Sequence, residues 1–262
     1  MRVALHGATG RMGLAIARLA HEAGDIQIVG AVAAPDDPRQ GKDIGELAGI
    51  GTVGVVVTPD LSAGLLGAEV VIDFSIAPAL PMVCALAARH KVALVSGTTN
   101  LGSEELGALA RAAEQVPVLW AANMSLGIQV LAELVSEALR RLGPSFDAEI
   151  VELHHKKKVD APSGTARRLA DAVRAARGEV EELHGRDGHT GERRPRELGV
   201  FGVRGGDVVG DHTVYLLGPG ERLELTHRAS SRDVFAHGAL RAARFLLGRG
   251  PGRYSIADVL AK

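Results

Sequence analysis

The order of apolar runs along the chain predicts an α/β fold in two parts, a doubly wound parallel sheet and a second, α+β domain with a mixed or antiparallel sheet. Three observations carry this. Short, continuously apolar runs alternate with amphipathic stretches through the first half, the pattern expected when helices cover both faces of a parallel sheet. A glycine-rich turn, Gly7, Gly10 and Gly13, joins the first apolar run to the first amphipathic one. After Arg196 the apolar runs follow one another with no helical stretch between them, which favours antiparallel pairing.

In order, strands are expected over Arg2–His6, Ile26–Ala34, Val53–Thr58, Glu69–Phe74, Lys91–Gly97 and Val116–Ala122, with helices over Met12–Glu22, Ala77–Arg89 and Ser103–Glu114. Ser125–Leu142 reads as one long amphipathic helix, with Leu131, Leu134, Val135, Ala138 and Leu142 on its apolar face and Gly143-Pro144 as its stop. A strand over Phe146–His155 precedes a helix over Ser163–Arg177, with Ala166, Leu169, Ala170 and Val173 facing inward. Beyond a polar loop, Gly185–Arg196, come strands over Leu198–Arg204, His212–Leu217 and Arg222–Arg228. The tail Asp233–Leu247 is helical and is expected to return to the first domain. The expected division is a first domain, 1–125 with 233–262, and a second domain, 126–232.

Composition narrows the function. The chain has 262 residues, 46% hydrophobic, with a net charge of −1 and 3% aromatics. A nucleic-acid binder would carry a basic face or aromatic stacking platforms, and neither is present. The lone cysteine, Cys84, sits in an apolar run, so no intrachain disulfide and no metal site is expected; it reads as a small buried hydrophobe. No apolar run is long enough to span a membrane, and the N-terminus lacks a secretory pattern, so the expected compartment is the cytoplasm.

The glycine-rich turn has a physical logic. Glycine there turns tightly, lets the backbone approach a pyrophosphate and packs the helix on the strand. The helix N-terminus supplies N–H groups and the positive dipole end. Thr9 stands where a middle glycine is more common, and a plain tight turn is the alternative. In its place at the start of a Rossmann-like sheet the turn points to NADH or NADPH. The second strand ends Ala33-Ala34-Pro35 with no acid; Asp36 and Asp37 follow as turn residues, and Arg11 and Arg39 are candidates for a ribose phosphate.

The densest chemistry is EIVELHHKKKVDAPSGTA, Glu149 to Ala166. Two histidines end a strand, three lysines follow, and Pro162 marks the boundary before Ser163, an N-cap, opens a helix with Gly164 and Thr165. A helix start of this kind is ready for a carboxylate or phosphate. Histidine titrates near neutrality, and a lysine among cations can donate a proton.

These residues resemble the 4-hydroxy-tetrahydrodipicolinate (dihydrodipicolinate) reductase family. The signature matches at Glu149, Ile150, Glu152, His154, His155, Lys158 and Asp160 through Ala166. Further similar blocks are G-x-x-G-R-M-G at Gly7–Gly13, D-F-S at Asp73, G-T-T at Gly97, A-A-N at Ala121, H-T-G-E-R at His189, G-D-H-T at Gly210 and H-R-A-S-S-R at His227. The resemblance implies hydride transfer from NADH or NADPH to a small cyclic dicarboxylate in lysine and diaminopimelate biosynthesis. It implies His154 as the acid/base and Lys158 as the proton donor. His155, Ser163, Gly164 and Thr165 would hold the substrate carboxylates; apart from the resemblance, Arg232 reads as a second carboxylate partner. Gly7, Ala8, Thr9, Gly10, Arg11, Met12, Gly97, Thr98, Thr99, Ala121, Ala122, Asn123 and Met124 would line the dinucleotide. The resemblance makes the first domain, 1–125 with 233–262, the dinucleotide-binding domain and the second, 126–232, the substrate-binding and oligomerisation domain, with a homotetramer built through the second domain's sheet. The chain departs from the family's common pattern at Ala34, Ile76, Asn100 and Met124. Two other readings use the same cofactor domain: a different NAD(P)-dependent dehydrogenase, which would need a nucleophilic cysteine or another substrate motif, and a redox-sensing regulator, which would need a DNA-binding helix pair.

Overall fold

The computed structural model describes residues 1–261. The chain divides into two compact units, Met1–Ser125 together with the segment from Asp233 onward, and Leu126–Arg232. The first unit begins β1 (Arg2–His6), α1 (Arg11–Ala23), β2 (Gln27–Val32), α2 (Ile44–Ala48), β3 (Val57–Thr58), α3 (Leu61–Gly64) and β4 (Val70–Asp73). It continues with α4 (Leu80–His90), β5 (Ala93–Ser96), α5 (Ser103–Ala113) and β6 (Pro117–Trp120). The second unit holds α6 (Leu126–Leu142), β7 (Asp147–His154), α7 (Gly164–Arg177), β8 (Glu181–Leu183), β9 (Glu197–Arg204), β10 (Gly210–Gly218) and β11 (Glu221–Ala229). The chain then re-enters the first unit with α8 (Asp233–Leu246), β12 (Gly252–Tyr254) and α9 (Ile256–Leu260).

The first unit's sheet has seven parallel strands in the order β12-β6-β5-β4-β1-β2-β3. Its central strands bury nearly every side chain: Val3, Ala4 and Leu5 in β1, and Val70, Val71 and Ile72 in β4, are at most 1% exposed. The order of strands reverses between β1 and β4, so the turns leaving these two strands diverge and open a crevice at their carboxyl ends.

Backbone hydrogen bonding explains where the strands fall short of expectation. The run Val53–Thr58 shrinks to the two residues of β3. Asp43 takes the backbone N–H groups of Val53, Gly54 and Val55 at 3.1, 2.7 and 3.0 Å, so these amides are satisfied by a carboxylate instead of a ladder. The same side chain caps α2, a helix not anticipated from the sequence, as α3, β8, β12 and α9 also were not. Close packing fixes Gly30: a Cβ there would lie 1.8 Å from the carbonyl oxygen of Gly64. Gly30→Ala is expected to destabilise the first unit by at least the ~1–3 kcal/mol of ordinary overpacking. A thermal melt showing a native-like transition would refute this.

In the second unit α6 and α7 pack on one face of a five-stranded sheet, β11-β10-β7-β9-β8. Helix α6 buries Ile128, Leu131, Ala132, Val135 and Leu139. Leu134, expected on that face, is 51% exposed, because the stripe is set by the 128–131–135–139 spacing. The pairing of the last strands also differs from expectation. β10 pairs antiparallel with β11 and with β7, but β9 lies on the other side of β7 and runs parallel to it. Helix α7 supplies the crossover a parallel neighbour needs, so β9 belongs to a βαβ-type return and not to a hairpin with β10.

Candidate active site

In the second unit the site grows out of strand register. Side chains alternate across β7, so Ala148, Ile150, Glu152 and His154 share the face under the helices. The first two are core residues. The last two begin a polar end, and the neighbouring strands match them row by row. Ile150 lies beside Val200 and Val214, an apolar row. Glu152 lies beside Gly202 and His212. His154 lies beside Arg204, and a Cβ on Gly210 would come within 3.0 Å of its Nε2. A glycine in each polar row leaves room for the neighbouring side chain.

Glu152, with 0% exposure, takes part in four hydrogen bonds. Its Oε2 is in very short contact with Nδ1 of His154. Arg204 donates from Nη1 and Nη2 at 2.9 and 2.8 Å, and the backbone of Ser163 donates at 3.1 Å. Burial alone would raise this carboxyl, but the bonds from His154 and Arg204 outweigh it and hold it down at about 2. His212 packs edge-on to His154, with ring centroids 5.1 Å apart, and its Nε2 lies 3.1 Å from the Ser163 hydroxyl. Burial first, and then His154, push His212 down to about 3, so it stays neutral in the site. Ser163 caps α7, accepting from Ala166 N at 3.1 Å.

The lysine-rich loop is tied to this cluster through its backbone. Arg204 Nη2 donates to the Asp160 carbonyl at 2.7 Å, and His155 N donates to Val208 O at 2.8 Å. Lys158 Nζ bonds both oxygens of Asp160, at 2.7 and 2.9 Å, and this pairing lowers the Asp160 carboxyl. His155 is half-buried, and its Nδ1 has no protein partner among the described residues. Gly164 is exposed and Thr165 half-buried at the start of α7, whereas Lys156, Lys157 and Arg232 face solvent. The structure therefore gathers His154 and Ser163 around Glu152, with Lys158 on the adjoining loop. Sequence reasoning missed Glu152, Arg204 and His212 as parts of the site. The i, i+2 spacing of Glu152 and His154 could have revealed the first; the other two arrive only through strand pairing.

In the first unit the glycine turn is built for close approach. Gly7 has φ +73°, and a Cβ on it would meet Phe74 O at 2.5 Å; on Gly13 it would meet Ala8 O at 2.3 Å. Helix α1 has Gly10 at its N-cap position, with no side-chain cap and no acid in its first turn. These residues fit a pyrophosphate, which would take the N–H groups that other helices give to their own caps. Gly10 and Arg11 are exposed and Met12 half-buried, while Ala8 is buried. Thr9 is buried and donates to Asp37 at 2.5 Å, and Arg39 binds both Asp37 oxygens and, at 2.6 Å, the Thr9 carbonyl. Asp37 is thus more than the turn residue expected: it ties the loop after β2 to the glycine turn.

Asp73, also 0% exposed, joins three strand ends. It accepts from His6 Nδ1 at 2.8 Å, Ser75 Oγ at 2.6 Å and Ser75 N at 3.2 Å on one oxygen. The other oxygen accepts from Ser96 Oγ at 2.7 Å and Thr98 Oγ1 at 2.8 Å. Thr98 also accepts from Trp120 Nε1 at 2.8 Å through its carbonyl. Gly97 lies against the Phe74 ring, and Thr99 and Ala122 are exposed with Ala121 and Asn123 half-buried. The Met124 side chain is 1% exposed, and its carbonyl lies so close to Gly238 that a Cβ there would be 1.8 Å away. Cys84 is buried, and burial pushes its thiol up to about 12, which removes it as a nucleophile.

A parallel sheet whose first turn is an uncapped anion site is the framework of the dinucleotide-dependent oxidoreductases, and this protein is of that class. Residues 1–124 match the family model described as dihydrodipicolinate reductase, N-terminus, and residues 127–260 match dihydrodipicolinate reductase, C-terminus. The chain belongs to the dihydrodipicolinate reductase family. It is 47% identical over 264 residues to the 4-hydroxy-tetrahydrodipicolinate reductase of Myxococcus xanthus, covering 99% of this chain and 97% of that one. With the enzyme of the same name from an Anaeromyxobacter species it shares 49% over 263 residues, at the same coverage. Its fold is that of a dipicolinate-bound dihydrodipicolinate reductase from Paenisporosarcina, with TM-score 0.80, 21% identity and coverage of 100% and 99%. An amine dehydrogenase from Mycobacterium smegmatis shares the fold at TM-score 0.65 and 16% identity, with coverage of 100% and 96%.

Proposed function

We propose that this chain reduces 4-hydroxy-tetrahydrodipicolinate to tetrahydrodipicolinate with NADH or NADPH, the activity for which its relatives are named, and so serves lysine and diaminopimelate biosynthesis. The product has one oxygen fewer than the substrate, so the hydroxyl leaves as water while a hydride and a proton are added. The observation that carries the reading is that one buried carboxylate, Glu152, orders both the His154 ring and the capped start of α7.

Bound dinucleotide supplies the hydride. The glycine turn and the loops at Gly97 and Ala121 hold it, and His154 and Lys158 move the proton. His155, Ser163, Gly164 and Thr165 hold the carboxylates, as suits a dianionic ligand facing cations and a helix start. The test is consumption of NADH and of NADPH when the purified protein meets the product of the preceding synthase. A regulator would bind the cofactor without consuming it, and no consumption with either nucleotide would end this reading.

Ser163→Ala removes both the cap and the His212 partner. It is expected to lower stability by about 1 kcal/mol and to raise KM for the dicarboxylate more than it lowers kcat. An unchanged KM would take Ser163 out of substrate binding.

A homotetramer in the cytoplasm completes the proposal. Among the described residues no helix is long and apolar enough to cross a membrane. Val151, Leu153, Phe201 and Val203, half-buried or exposed on the face of the second unit's sheet opposite the helices, support burial by another copy. Sedimentation giving a monomer would overturn the tetramer.

A further inference from the structure

Both oxygens of Glu152 are committed, and the identity of their partners dictates a proton's position. Arg204 can only donate, and so can the backbone N–H of Ser163. These groups supply three of the four hydrogen bonds, from Arg204 Nη1, Arg204 Nη2 and Ser163 N. A protonated Glu152 could aim its hydrogen only at His154 Nδ1, and the Arg204 guanidinium, donating to both oxygens, holds the carboxyl ionised instead. The carboxyl is therefore the acceptor in its fourth bond as well, and the hydrogen in that bond belongs to His154 Nδ1. Nε2 is then the nitrogen left to exchange a proton, on the side of the ring toward the α-carbon of Gly210. His212, stacked edge-on and held neutral, adds no competing cation beside it.

We propose that Glu152 is a positioning residue for the reaction. Its carboxylate, oriented by Arg204, fixes His154 as the Nδ1–H tautomer and aims Nε2 at the reacting ring, while its other oxygen sets the start of α7 through Ser163. This rests on the reductase reading above for its kinetic part, but the tautomer itself is independent of the substrate.

The geometry also says what an isosteric change does. In Glu152→Gln the amide has one oxygen. The Oε1 side faces two fixed donors, Ser163 N and Arg204 Nη2. The Oε2 side faces one fixed donor, Arg204 Nη1, and the ring that can change tautomer. The amide oxygen takes the first side, its NH2 donates to His154 Nδ1, and the ring is driven to the Nε2–H form.

The experiment reads the tautomer by NMR on enzyme carrying isotope-labelled histidine, with His154 assigned by comparison with His154→Gln, at a pH where the ring is neutral. Wild-type enzyme should show a protonated Nδ1 and an unprotonated Nε2, and Glu152→Gln should reverse them. In steady-state kinetics the variant should lose about 10²-fold or more in kcat, with KM changing far less because Ser163 keeps its acceptor. A wild-type His154 in the Nε2–H form overturns the proposal even if the variant fails to fold, and so does a Glu152→Gln enzyme with native turnover. Wild-type enzyme that consumes no reduced nicotinamide overturns the functional reading instead and leaves the tautomer result standing.

Discussion

Turnover should fall by about 10²–10⁴-fold in His154→Gln and in Lys158→Ala, the loss typical when a positioned acid or base is removed. The two residues differ in how they are held. His154 is 8% exposed at the end of β7, clamped by Glu152 on one side and His212 on the other. Its replacement removes the proton-exchanging nitrogen and leaves the charged pair of Glu152 and Arg204 intact, so the fold should survive. Lys158 sits on the loop that follows, with both of its oxygen partners on Asp160. Its ammonium can serve the reaction as a hydrogen-bonded donor whose position the loop backbone fixes through Arg204. Stopped-flow or steady-state rates of reduced-nicotinamide consumption measure both variants. The effects should fall on kcat more than on KM, and the double variant should not be much slower than the worse single one, since groups that act as a unit are not additive. A double variant with near-native kcat would remove both residues from the reaction.

The other large effect is on stability and comes from the first unit. Asp73→Ala deletes an acceptor that serves His6, Ser75, Ser96 and Thr98 at once. The buried Ser96 and Thr98 hydroxyls lose their acceptor, and the half-buried His6 and Ser75 lose their carboxylate partner. Removing one member of a buried charged cluster costs about 3–5 kcal/mol, far more than a surface ion pair. The same residue predicts a pH dependence. Burial opposes the charge, but the bonds from His6, Ser75 and Ser96 prevail and hold the carboxyl below its ordinary value. A carboxylate lowered on folding contributes stability above its unfolded value and loses it as pH falls toward the folded one. The wild-type melting temperature should therefore decline with acid, and that part of the decline should be absent in Asp73→Ala. Equal acid sensitivity of the two proteins would show that Asp73 is not the group responsible.

The contrast between the two units explains what could be read from residues alone. The glycine turn of the first unit is a local event, in which strand, turn and helix lie within a dozen residues and each glycine answers a steric demand made by its near neighbours or by Phe74. Ser163 as a helix cap is equally local, since its hydroxyl bonds an amide three residues on. The polar end of β7 was half legible: alternation puts Glu152 and His154 on one face, but nothing local says what faces them.

By itself the sequence determined the helices with long apolar stripes, the fully apolar strands, the phosphate-ready turn, the Ser163 cap and the residues that tie this chain to its family. Tertiary structure alone decided that β9 lies beside β7, that Arg204 and His212 flank Glu152, that Asp73 binds three strand ends, and that Asp43 cuts β3 short. The physical reason is the range of the interactions. Helical period and capping act over a few residues, whereas a strand's neighbours and a buried carboxylate's donors are chosen by the hydrogen bonds and volume of the whole packed unit, from residues as far apart as the 67 positions between His6 and Asp73.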